Sequence, residues 1–107
     1  REAYMGVFAY DKEVIPYLNK DIRLDSGIYV ANIDNNGPAA KGGIKMGCII
    51  SQVDGQKINT MLQLRTYIYT KKPGDTINVT HLMEGEGKFV TVAIKLAEKT
   101  GDGLLTR

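Results

Sequence analysis

What this chain of 107 residues lacks narrows its chemistry before anything it contains. It has one cysteine, Cys48, which excludes a disulfide within the chain. With one histidine, His81, there is also no Cys/His cluster of the kind that holds zinc. Cysteine usage leaves the compartment open, because disulfide-free domains occur on both sides of a membrane. No apolar run approaches the roughly 18 residues that span a bilayer, and the N-terminus has neither an initiator Met nor the apolar stretch of a signal peptide. The chain therefore reads as part of a longer protein. Strong charge of either sign is missing as well: 14 basic and 12 acidic residues are mixed along the sequence for a net charge of +2. That balance supplies no field to draw in a nucleic-acid backbone or an anionic membrane. The basic doublet Lys71-Lys72 reads as a solvated helix end, where cations suit the helix dipole.

Catalytic constellations are equally scarce. Ser-His-Asp chemistry needs a nucleophile in a sharp turn, yet neither Ser26 nor Ser51 lies in a Gly-x-Ser-x-Gly setting. His81 shares strand phase with Ile77 and Val79 and reads as a partly buried structural residue. Cys48 lies in an apolar segment without a neighbouring base, so it reads as a packed thiol and not a nucleophile. The glycines from Gly37 to Gly43 do not form a phosphate loop, since Lys41 is followed by Gly instead of Ser or Thr. Asp34-Asn35-Asn36-Gly37 matches a calcium loop in composition alone; Lys45 lies near where the closing Glu should be. No enzyme activity, metal or cofactor is expected of this chain.

What is present is the makings of one core: 43% hydrophobic and 24% charged residues in a length that folds as a single domain. Tyr4 to Tyr10 is an apolar and aromatic strand interrupted at Gly6, which marks a close backbone approach or a β-bulge. Asp11 to Leu24 reads as a loop with a helical turn that has Pro16 in its first turn. Ile28 to Ile33 reads as a strand covered on both sides. Pro38 to Lys41 is a short helix entered through a fixed-φ proline and ended by Gly42-Gly43. Cys48 to Val53 is a buried strand, and Asp54-Gly55 is a hairpin turn into Gln56 to Ile58. Asn59 or Thr60 caps a helix running to about Lys71, with Met61, Leu64 and Ile68 on one face. Pro73-Gly74 stops it. Asp75 to Met83 and Lys88 to Leu96 are strands joined by a turn at Glu84 to Gly87. In the last of them Val90, Val92, Ile94 and Leu96 alternate with polar or small residues. From Glu98 to Arg107 the pattern dissolves into an expected mobile tail.

These elements resemble, over about Tyr4 to Leu96, a PDZ domain of the HtrA/DegP-type bacterial serine proteases. The resemblance rests on Tyr4-Met5-Gly6-Val7, Gly37-Pro38-Ala39, Gly42-Gly43-Ile44, Gly47-Cys48-Ile49-Ile50, Asp54-Gly55 and Lys72-Pro73-Gly74-Asp75. Gly42 stands where such domains usually have Ala, and Cys48 where they usually have Asp. The resemblance implies a mainly β fold with some α: a small, partly open barrel or sandwich of five to six strands capped by one long and one short helix. It implies one PDZ domain over residues 1–97, with the tail beyond.

The function so implied is recognition of C-terminal or exposed apolar peptide segments by strand addition. The amides of Met5, Gly6 and Val7 would converge on the terminal carboxylate. Main-chain pairing would run along Val7, Phe8 and Ala9. The last peptide side chain would enter a cavity lined by Tyr4 or Met5, Val7, Leu64 and Ile68, although Leu64 and Ile68 also read as plain core. Met61 would accept varied apolar side chains. Arg65 would reach a peptide carbonyl or an acidic side chain. The resemblance implies such a module beside a serine protease domain in a homo-oligomeric, membrane-anchored parent that works outside the cytoplasm in protein quality control. Two rivals stand beside it: the PDZ module of another processing protease or secretion component, and a structural or oligomerisation domain whose groove is filled internally.

Overall fold

The computed structural model describes residues 2–18, 24–83 and 87–99. The chain begins with a two-residue strand, β1 (Ala3–Tyr4), and continues after Met5-Gly6 as β2 (Val7–Tyr10). Gly6 takes φ +86°, a left-handed conformation that only glycine adopts at little cost, and this breaks one apolar run into two strands. In β2 the period of two is complete: Val7 and Ala9 are buried, Phe8 and Tyr10 exposed. The rings of Phe8 and Tyr10 meet edge to face at 5.9 Å on the outer surface. A 3-10 turn at Lys12–Val14 runs into α1 (Ile15–Leu18), with Pro16 in its first turn as the sequence required. The rest of that stretch, residues 19–23, lies outside the described residues.

β3 (Ile28–Ile33) pairs antiparallel with β2, from Val7 opposite Ile33 to Tyr10 opposite Tyr29, with a register shift between Phe8 and Ala9. The expectation that both its faces are covered needs correction. Ile28 and Val30 point into the core, while Tyr29, Ala31 and Ile33 are half-buried and Asn32 is exposed, because the helices cover one side of the sheet more completely than the other. A turn at Asp34 leads to α2 (Pro38–Lys41), with Pro38 in the first turn. A Cβ on Gly42, just past α2, would stand 2.8 Å from Cγ1 of Ile94. The glycine therefore lets the helix end lie directly on the last long strand, which accounts for the absence of Ala at this position.

β4 (Ile49–Val53) turns through Asp54 at φ +50° and Gly55 at φ +81° into β5 (Gln56–Lys57), a two-residue hairpin with both central residues left-handed. Thr60 caps α3 (Met61–Tyr69): its hydroxyl accepts from the Gln63 amide at 3.0 Å, and the Gln63 side chain accepts from the Thr60 amide at 3.1 Å. The helix ends at Tyr69, short of Lys71, with Thr70 as its C-cap and the Pro73-Gly74 turn behind it. β6 (Thr76–Leu82) and β7 (Val90–Lys95) form the longest ladder, from Thr76 opposite Lys95 to His81 opposite Val90; of the turn expected between them, residues 84–86 lie outside the described residues. β8 (Ala97–Glu98) then pairs with β1, placing Ala3 opposite Glu98 and Tyr4 opposite Ala97. Ordered pairing thus continues past the point where the tail was expected to begin. Residues 100–107 lie outside the described residues.

The larger sheet has six strands in the order β2-β3-β4-β6-β7, with β5 attached to β4, so β2 and β7 are its margins. One core joins Val7, Ala9, Ile28, Val30, Ile50, Val53, Ile77, Val79 and Ile94 of the sheet to Met61, Leu64 and Ile68 of α3 and Ala39 of α2.

Candidate peptide-binding groove

The bend before β2 is held from behind by its carbonyls. The Met5 carbonyl accepts from the Ala39 amide at 3.0 Å, and the Gly6 carbonyl accepts from the Asp34 amide at 2.9 Å. In a trans peptide the N–H points opposite to the C=O of the same unit. The Gly6 amide is therefore directed away from α2, and the Val7 amide away from β3. Val7 faces Ile33 as the wide-spaced kind of antiparallel pair, in which a residue's own N–H and C=O point to the other side of the strand. That other side is the margin of the sheet, where β2 has no partner strand among the described residues. The Met5 and Gly6 amides donate to no acceptor among the described residues. The Gly6 and Val7 amides thus point away from the segments that hold the carbonyls of their peptide units.

Tyr4 and Asp34 brace this corner. The Tyr4 hydroxyl donates to Asp34 Oδ2 at 3.0 Å, and Asp34 Oδ1 accepts from the Asn36 amide at 3.0 Å. Burial, and then the neighbouring carboxylate, push the Tyr4 hydroxyl up to about 12. A Cβ on Gly6 would lie 3.2 Å from Asp34 Cβ and 3.4 Å from Tyr4 Cε2, so the backbone passes directly over this pair. The Tyr4 hydroxyl is thus occupied in supporting the bend. In the sequence Asp34 stands out only as part of a segment with the composition of a calcium loop; no local pattern reveals a partner 30 positions away.

The floor between β2 and α3 is closed. Val7, Leu64 and Ile68 are 0% exposed, Ala9 3% and Met61 6%. Met5 is also fully buried, so each of the apolar residues expected to line a cavity is packed into the core, and α3 lies against β1 and β2. Phe8 is 40% exposed on the opposite face, which leaves its main chain as its possible contribution.

The ends of α3 are tied down at both ends of this face. Asp11 Oδ1 accepts from the Met61 amide at 2.7 Å, and the Tyr69 hydroxyl donates to Glu2 Oε1 at 3.1 Å. On the far side of the helix the Tyr67 hydroxyl donates to Asp54 Oδ2, which raises the Tyr67 hydroxyl above the ordinary tyrosine range. Arg65 is half-buried, and its Nε is buried without a partner. Of the groups set aside on sequence grounds, His81 lies in β6, largely buried between Ile50 and Val90, and burial pushes the thiol of Cys48, just ahead of β4, up to about 11.

Residues 5–96 match the sequence pattern described as PDZ domain. The chain belongs to the PDZ domain family. Its relatives are of the HtrA/DegP type. "Serine protease Do-like HtrA" of Lactobacillus helveticus is 44% identical over 73 residues, which is 68% of this chain and 17% of that protein. "Probable periplasmic serine endoprotease DegP-like" of Halomonas elongata is 35% identical over 68 residues, 64% of this chain and 14% of that protein. The PDZ domain thus spans less than a fifth of the length of either relative. Among solved structures, the HtrA3 PDZ domain bound to a phage-derived ligand (FGRWV) superposes with a TM-score of 0.71 at 23% identity, covering 89% of this chain and 85% of that one.

Proposed function

We propose that this PDZ domain binds the C-terminal segment of a partner polypeptide by adding it as a further strand beside β2, with Met5, Gly6 and Val7 receiving the carboxylate. The observation that carries this reading is the Gly6 bend, whose carbonyls are bonded inward so that the Gly6 and Val7 amides face the unpartnered sheet margin. Strand addition along Val7, Phe8 and Ala9 supplies affinity regardless of sequence, and an apolar last side chain enters between Val7, Leu64 and Ile68 with Met61 one turn beyond. The names of the relatives, a serine protease and a periplasmic serine endoprotease, support a place beside an HtrA-type serine protease domain outside the cytoplasm, where this domain would regulate or feed that protease in a homo-oligomeric parent; that the HtrA3 PDZ domain is described as bound to a phage-derived ligand (FGRWV) supports the mode of binding.

Titration with a short peptide ending in Val, as free acid and as C-terminal amide, tests this. Net hydrogen bonds of about 0.5 to 1.5 kcal/mol each, with association costs, place the acid in the micromolar range and the amide about tenfold or more weaker. Equal binding of acid and amide defeats the carboxylate role. The buried floor favours one other reading, a structural domain whose groove stays shut. A C-terminal peptide library that selects nothing would establish it.

A further inference from the structure

The row of α3 residues four apart, Met61, Arg65 and Tyr69, lies along one side of the helix. Its two ends are fixed by hydrogen bonds to residues flanking the first two strands: Met61 through its amide to Asp11 just past β2, and Tyr69 through its hydroxyl to Glu2 ahead of β1. Tyr67, on the opposite flank, is turned toward Asp54 in the β4–β5 turn. Arg65 therefore stands midway along the side of α3 that overlooks β2, at the rim of the proposed groove.

Its surroundings are unsatisfied. Nε of Arg65 is buried and bonded to nothing, and among the described residues Arg65 has neither an ion pair nor a hydrogen-bond acceptor. The nearest acidic groups along this rim are engaged elsewhere: Asp11 caps α3, and Glu2 holds Lys99 at 3.3 Å as well as Tyr69. A buried donor without an acceptor costs stability, and a guanidinium regains most when a carboxylate meets it along two parallel bonds. From these observations we infer that Arg65 selects peptides carrying an acidic side chain just before an apolar C-terminal residue. The inference rests on the peptide-binding reading and names its substrate class.

The register follows from element geometry. Arg65 precedes Ile68 by three residues, about 4.5 Å along the helix. A strand advances about 3.3 Å per residue, so with the last side chain beside Ile68, Arg65 lies one to two peptide residues upstream. The favoured ligand thus carries Glu or Asp at the penultimate position or the one before it.

The test uses the 107-residue chain and Val-ending peptides, each with Glu or Gln at one of those two positions and each as acid and amide. Fluorescence anisotropy should show Glu preferred over Gln by about five- to tenfold at one position, a ratio that falls to about one in Arg65→Gln. Arg65→Lys should keep part of the preference, and it carries the test if Arg65→Gln melts too low to use. Equal affinity for Glu and Gln peptides, with acid still preferred to amide, overturns the inference while leaving peptide binding intact. Loss of acid-over-amide preference in Arg65→Gln without any Glu effect also overturns it, by assigning Arg65 to the terminal carboxylate. Failure of every peptide to bind overturns both readings.

Discussion

Replacing Gly6 by Ala tests the bend at its weakest point. At φ +86° an L-residue pays about 1–2 kcal/mol for the left-handed backbone. The new Cβ would also crowd Asp34 Cβ at 3.2 Å and Tyr4 Cε2 at 3.4 Å, so one of the two must yield by a few tenths of an ångström. Together these place the loss at about 2–3 kcal/mol, which lowers Tm by roughly 10–20 °C in a domain of this size. Gly43→Ala is the matched control: its φ is +100°, yet nothing lies within 4 Å of the added Cβ, so it reports backbone strain alone. Thermal melts followed by circular dichroism should rank the wild type above Gly43→Ala and Gly43→Ala above Gly6→Ala. Peptide titration should find acid-over-amide preference reduced in Gly6→Ala and intact in Gly43→Ala. A Gly6→Ala chain that melts with the wild type and still prefers the free acid would refute both the strain and the role assigned to the bend.

Two further outcomes follow from neighbouring residues. Tyr4 holds its proton up to about 12, above the value near 10 of an unfolded tyrosine, because burial and then Asp34 disfavour the phenolate; the stability that goes with the buried, bonded hydroxyl is full below about pH 10 and is lost as pH rises toward 12. Tyr4→Phe should therefore be less stable by about 1 kcal/mol near neutral pH, and urea melts should show it losing less stability than the wild type between about pH 10 and 12. Parallel declines would remove Tyr4 as the cause. Gly42→Ala meets Ile94 Cγ1 at 2.8 Å in an ordinary backbone conformation; overpacking of about 1–3 kcal/mol outweighs the gain of about 0.4–1 kcal/mol from a stiffer unfolded chain. Its Tm should fall while peptide affinity is unchanged, and a raised Tm would show that Ile94 repacks freely.

Local chemistry made much of this legible in the sequence. Pro38 and Gly42 bounded α2, Asp54-Gly55 marked the hairpin, and Asn59 or Thr60 marked the start of α3, where Thr60 proves to be the cap. Each is a decision made within four or five residues, where backbone preference acts directly. The interruption at Gly6 was visible for the same reason. What stayed hidden depends on contacts between distant segments. Asp34 beneath Tyr4, Asp11 at the head of α3 and the pairing of β8 with β1 join residues 30 or more positions apart, and no periodicity encodes them. The burial of Leu64 and Ile68 was expected, but the closure of the whole floor was not. Alternation tells which side chains point inward and says nothing of how near two elements settle.

Since Ala3–Tyr4 and Ala97–Glu98 are zipped together, the polypeptide enters and leaves this fold side by side, and the entering strand reaches Gly6 after a single intervening residue. A tug or twist on whatever adjoins these strands would be felt first by a two-rung zipper and immediately afterwards by the corner proposed to meet a guest's terminus. Grip on a guest and mechanical strain from flanking chain would then be opposite ends of one short lever, so that tension loosens what slack secures.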